Sequence, residues 1–332
     1  MNLRSLVPSL LLGAALFTGC DEHVDAVDGE VSLRPGSGSS GGVWLNTSTI
    51  GTTPFSELDL KGNVHDGVQF TGAKVLRPGN VWLTVVEGSV MDGNLKAKAS
   101  NGVTYSGADL IGSRWYLTLS NADTDHDGDH DADDAASVPT EIWISAHQQV
   151  SPRESRYVFE TFDDDGNAVP VCNADSSGNR TAIPIKDITV DDFTGDMAPR
   201  KDTLYLACTS GAIGKAITWG YRPWERPLPE FEVATRMVRA DYCFDGMSWT
   251  ETGMPIQVKD KYGTNTFLYA TDPTEVVWTK TGAACINTPR NLTYAASQVT
   301  CNGAALPTCA GNVGMTTYKD TLFWTKIDAT DP

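Results

Sequence analysis

Short apolar runs separated by turn residues dominate residues 43–160. Val81-Trp82-Leu83-Thr84-Val85-Val86, Arg114-Trp115-Tyr116-Leu117-Thr118-Leu119, Glu141-Ile142-Trp143-Ile144 and Arg156-Tyr157-Val158-Phe159 are β-branched or aromatic, and Gly, Pro, Asn and Asp bound them. They predict short strands. No helical period stands out before residue 200, so 43–156 reads as a small antiparallel sheet or sandwich. Beyond residue 200 the pattern changes to two helices. Ser210 is placed to cap 211–219, with Ala212, Ile213, Ala216 and Ile217 on one face. The second helix starts after Pro229 and runs to about Tyr242. Phe231, Ala234, Thr235 and Val238 form its apolar stripe, and Glu232 and Arg236 are spaced for an i,i+4 pair. The expected class is therefore β-rich α+β: an antiparallel region, then a part with two short helices.

The amino terminus has a different pattern. One basic residue, Arg4, precedes an apolar stretch from Leu6 to Phe17, then Thr18-Gly19-Cys20. The stretch is too short to span a bilayer. It resembles a bacterial lipoprotein signal, which implies removal of residues 1–19 and lipidation of Cys20. Phe17 departs from the usual Leu of that motif. Acyl chains would then be the only membrane attachment, their affinity growing by about 0.8 kcal/mol per buried CH₂. The resemblance implies a cell-envelope location, on the periplasmic or cell-surface face. Residues 20–42 are acidic, then rich in Gly and Ser, and read as a tether with a root-mean-square reach of roughly 25 Å.

Charge narrows the partners. The chain of 332 residues carries a net charge of −17. Loss of Arg4 with the signal makes it more acidic still. Such a chain repels nucleic acid, and no basic cluster overrides this. Much of the acid lies in one loop, 123–134. Its spacing resembles a calcium loop: Asp123, Asp125, Asp127, Asp131 and Asp134 fall at side-chain ligand positions, Asp129 offers a carbonyl, and Gly128 makes the turn. Asp134 stands where such loops carry Glu, and the flanks read as strands. The expectation is a structural calcium site, with a solvated acidic loop as the plain alternative.

Cys172, Cys208, Cys243, Cys285, Cys301 and Cys309 remain once Cys20 is set aside. An even number in an oxidising compartment predicts disulfides, with fifteen possible connectivities. Order and spacing favour Cys172–Cys208, Cys243–Cys285 and Cys301–Cys309. There is no Cys-x-x-Cys, so zinc is not expected.

The second helix ends in Arg236-Met237-Val238-Arg239-Ala240-Asp241-Tyr242-Cys243-Phe244-Asp245-Gly246. With Ala168–Cys172, Ala207–Lys215, Trp219–Trp224 and Gly282–Cys285, this resembles the ADYC-domain family, over roughly residues 157–326. The domain is accordingly drawn as 157–332, after the β-rich region 43–156. The resemblance implies an extracytoplasmic, often lipidated protein and brings no catalytic residues. Relatives tend to carry cysteine where this chain has Ala216 and Thr235, which implies a bridge between the helices that is missing here.

Chemistry is sparse. The histidines are His23, His65, His126, His130 and His147, none within 157–326. That removes Ser-His and Cys-His catalysis from the region as drawn. Asp241, Asp245 and Asp260 are the remaining acid–base candidates, but the structural reading is preferred: Asp245-Gly246 is a turn signal and Asp241 is placed to hold Arg239 or neighbouring backbone amides. No catalytic residue is assigned. The expected role is binding or structural, toward a protein or glycan partner. A glycan-directed envelope hydrolase using paired carboxylates is the alternative.

Overall fold

Strand Arg114–Leu119 shows how the first sheet forms: Trp115, Leu117 and Leu119 are buried, whereas Arg114, Tyr116 and Thr118 are partly exposed. Successive side chains alternate across a strand, so an alternating sequence gives a sheet with one dry face. The computed structural model describes residues 45–50, 53–120, 137–163, 165–191, 194–250 and 254–328. In it, strands Glu57–Asp59, Met197–Cys208, Ala182–Val190, Glu154–Phe162, Val138–Ser151, Arg114–Leu119, Val68–Arg77, Val81–Met91, Asn94–Ala99 and Thr104–Ser106 lie side by side in that order. Neighbouring strands are antiparallel. All four strand runs read from the sequence fall within these elements.

The long sheet closes on itself. Val90, Leu95 and Ala97 near one end share a core with Trp115, Ile142, Phe159, Leu204 and Leu206. Two hairpin tips are joined there: Gly93 N donates to Arg153 O at 2.9 Å and Ser155 N to Gly93 O at 3.0 Å. Glycine is required at 93 for space, because a Cβ would sit 2.7 Å from the Trp224 ring. The Arg153 guanidinium extends the joint, bonding Asp92 at 2.9 Å and Trp224 O at 3.1 Å.

Strands 182–190 and 197–208 are buried on both faces. Leu204, Leu206 and Cys208 belong to the first core. Ile183, Ile185, Tyr205 and Ala207 belong to a second, with Ile213, Ile217, Phe231, Met237, Val276, Trp278 and Phe323. This accounts for the unbroken buried run Thr203–Cys208. The second core is completed by helices α1 (Ala212–Thr218) and α2 (Leu228–Arg239), which pack on each other. A four-stranded antiparallel sheet follows, in the order Ile256–Asp260, Thr321–Ile327, Thr274–Thr279, Gly282–Ile286. The boundary drawn at 156/157 falls inside strand 154–162. No helix among the described residues is long and apolar enough to cross a membrane.

The helices differ from expectation in detail. Ser210 does not cap α1: its hydroxyl donates to Asn173 O at 2.9 Å, and Gly211 holds the cap position. α2 starts earlier, after Pro227, with Pro229 in its first turn, where a missing N–H costs nothing. It ends at Ala240, whose left-handed backbone (φ 55°) turns the chain out of the helix. The expected stripe is buried and Glu232 pairs with Arg236 at 3.0 Å.

The disulfides are Cys172–Cys208, Cys243–Cys301 and Cys285–Cys309. The first matches the expectation and the other two correct it. Cys285 lies with Val277 on the sheet face turned away from the helices, whereas Ile286 and Val276 face them. Cys243 leaves α2 on the helix side. Residues 307–309 run beside 286–287, with Ile286 N donating to Pro307 O and Cys309 N to Asn287 Oδ1, which delivers Cys309 to Cys285.

Candidate functional site

The tetrapeptide at 240–243 is the densest polar junction of the second core. Ala240 supplies the left-handed exit from α2 and is fully buried. The Asp241 carboxylate accepts from Arg236 Nη1 at 2.6 Å, Asp245 N at 3.2 Å and Gly246 N at 3.1 Å. Arg236 and Asp241 are each 1% exposed. The Tyr242 hydroxyl donates to Glu275 at 2.8 Å and accepts from Arg290 N at 2.8 Å. Arg290 pairs with Glu275 at 3.1 Å and caps α2 through Met237 O and Val238 O. Cys243 bonds Cys301. Each letter of the tetrapeptide thus ties the end of α2 to the sheet or to the chain beyond it. Burial pushes the Asp241 carboxyl up against the pull of Arg236, and raises the Tyr242 phenol well above its ordinary value, with Glu275 adding to it. Burial lowers Arg239 to about 10.

The carboxylates expected as acid–base candidates make structural turns. Asp245 accepts from Met247 N. Asp260 accepts from Tyr262 N at 2.7 Å, Thr264 N at 3.1 Å, Asn265 N at 2.7 Å and Tyr221 OH at 3.0 Å. The same device recurs at Asp59, Asp163 and Asp175, whose oxygens take bonds from Asn63, Asn167 and Asn179. Each of these turns has the form Asp-x-x-Gly-Asn, with Gly62, Gly166 and Gly178 at φ 83°, 78° and 80°. The Asp-x-x-Gly-Asn spacing was visible in the sequence and was not read from it.

His65 joins an unforeseen cluster. Its Nε2 lies 2.8 Å from Glu57, 3.1 Å from Asp66 and 3.2 Å from Thr189 Oγ1, and its Nδ1 faces Arg200. Glu57, His65 and Asp66 are close enough together to suggest a metal site. The protons argue otherwise. A guanidinium has only N–H to offer, so Nδ1 accepts and the ring proton sits on Nε2, pointing at Glu57. A metal on Nε2 would move that proton onto Nδ1, against Arg200. Burial lowers the His65 pKa, opposed by Asp66 and assisted by Arg200.

His147 contacts Ser155 Oγ at 3.0 Å, but that hydroxyl donates to Asn94 Oδ1 at 2.7 Å and is fully buried. The same oxygen also reaches Gln149 Oε1 at 3.2 Å, so the hydroxyl is the hub of a buried polar cluster.

The outer face of the long sheet gathers exposed chemistry. Register places Trp82 beside Leu76, Lys74 beside Arg114, Arg114 beside Trp143 and Trp143 beside Glu160. Arg114 stacks 4.4 Å from the Trp143 ring and pairs with Glu141 at 2.8 Å. Phe162 lies 4.6 Å from Trp143, whose Nε1 donates to Glu160 at 3.0 Å. Lys74 lies over Tyr116. Trp82 is 41% and Phe162 48% exposed, so the strip presents a ring at each end. Four strand steps of ~4.8 Å set the strands that carry the two rings about 19 Å apart.

Cys20, the tether, and Asp123, Asp125, Asp127, Asp129, Asp131 and Asp134 lie outside the described residues. In comparison with known proteins, the family model of the ADYC domain matches residues 107–292. That match begins earlier than the likeness read from the sequence, so it takes in His126, His130 and His147. No curated protein and no solved structure matches.

Proposed function

The chain belongs to the ADYC domain family, and from that premise we propose a lipid-anchored cell-envelope protein with a binding role, whose contact surface is the outer face of the long sheet. The strip from Trp82 to Phe162 is the observation that supports this. Its rings match the apolar faces of sugar rings. Arg114, Glu141, Lys74 and Glu160 mix donors and acceptors of both signs, which suits a polyhydroxyl chain better than a strongly charged partner. The partner proposed is therefore an envelope polysaccharide. Asp241, Asp245 and Asp260 are held in turns and ion pairs, which favours binding over hydrolysis. The anchor proposed is lipid on Cys20, and loop 123–134 is proposed as a structural calcium site.

The test has two arms. Labelled palmitate should enter the wild type and not Cys20→Ala. The purified protein should co-sediment with isolated envelope polysaccharide, and Trp82→Ala with Phe162→Ala should lose most of that retention. Equal retention of the variant, or capture of envelope protein in its place, would reject the glycan-binding face.

A further inference from the structure

The outer face of the four-stranded sheet holds a buried cluster that none of the roles above uses. Gln257 and Lys326 are direct cross-strand partners, which sets their Cβ atoms about 4.5–5.5 Å apart on one face. They are 6% and 4% exposed. Both reach into the same short segment. Gln257 Oε1 accepts from two backbone groups, Leu268 N at 2.7 Å and Tyr269 N at 3.1 Å. Lys326 Nζ donates to Ala270 O at 2.6 Å. Gln257 Nε2 donates to Asp272, itself 7% exposed. Phe267 closes the cluster from outside, its ring 4.7 Å from Trp324 and 4.8 Å from Lys326 Nζ.

These groups form a reactive constellation as well as a packed one. Paired N–H donors on a carbonyl oxygen stabilise the negative charge that develops there on nucleophilic attack. A carboxylate on the amide nitrogen stands where a leaving amine takes up its proton. Burial lowers the Lys326 pKa, although Asp272 and the flanking rings favour the ammonium. Two reactants held on adjacent strands need no encounter, which substitutes for much of the entropic barrier.

We propose that Lys326 and Gln257 join in an intramolecular isopeptide bond. The Lys326 Nζ lone pair attacks Gln257 Cδ, and the new C–N bond forms as the oxygen charge is held by Leu268 N–H and Tyr269 N–H. The proton lost by Nζ passes to Nε2, the nitrogen that Asp272 holds. The Cδ–Nε2 bond breaks and ammonia departs. A primary amide and an amine become a secondary amide and ammonia, so atoms and charge balance without an oxidant or co-reactant. Asp272 ends as it began. The bond would clamp strand 256–260 to strand 321–327, near the end of the described chain.

Intact mass of the purified full chain tests this. The wild type should be one ammonia lighter than its processed, disulfide-bonded sequence, and digestion should yield one branched peptide carrying residues 257 and 326. Lys326→Arg should show the full mass and separate peptides while keeping its three disulfides. Asp272→Asn should be linked slowly or not at all. A wild type of full mass with separate peptides overturns the proposal. Loss of water rather than ammonia also overturns it, since the bond would then run to Asp272. Complete linkage in Asp272→Asn removes that residue from the step.

Discussion

Tyr242 shows what a single hydroxyl does in the second core. It bridges Glu275 and the Arg290 amide, and both lose a partner when it goes. Removing one member of a buried hydrogen-bonded set leaves the others desolvated, at about 1–3 kcal/mol. Tyr242→Phe should therefore lower stability by roughly that amount in urea titration, with the slope unchanged. An unchanged midpoint would mean that water replaces the hydroxyl. The tetrapeptide was legible as a marker in the sequence, but its purpose was not. Its partners Glu275, Arg290 and Cys301 lie 33 or more positions downstream of Tyr242, and nothing local ties them to it. Asp260 is the opposite case: its backbone partners are only two to five residues away, within one turn.

Elements that depend on local pattern were read well. The alternation of Arg114–Leu119 and the stripe of α2 need only neighbours in sequence. Register is a tertiary property, so the disulfide partners of Cys243 and Cys285 were assigned wrongly. The helix pair offers a direct test. Ala216 and Thr235 are fully buried on two packed helices. Ala216→Cys with Thr235→Cys should oxidise without added catalyst and raise stability by about 3 kcal/mol, less any strain. Two persistent free thiols would show that the residues do not face each other. The joint at Asp92 makes a second case. Its hydrogen bond to Arg153 holds the carboxyl below its ordinary range. A depressed carboxylate stabilises the fold above its unfolded pKa, about 3.9. The advantage of wild type over Asp92→Asn in urea should thus be constant from neutral pH to about 5, and fade as acid carries the solution below about 4. An advantage that grew in acid would contradict the ion pair.

At the scale of the whole molecule, acidity is divided between two uses. Part of it closes tight turns, as at Asp59, Asp163, Asp175 and Asp260. The largest block is loop 123–134. If that loop holds calcium, titration calorimetry should show binding at about 10⁻⁴–10⁻³ M, the range of extracellular modules, and Asp127→Ala should abolish it. No heat at millimolar calcium would leave a solvated loop. The division at 156/157 followed the extent of the family likeness, whereas strand 154–162 runs across it. Strands 182–190 and 197–208 serve as a party wall, plastered on one side by the first core and on the other by the second. Neither room stands without it. A fragment cut on either side would present a bare apolar wall to water, so deletion of one half reports the collapse of the other and says nothing about which half carries the activity.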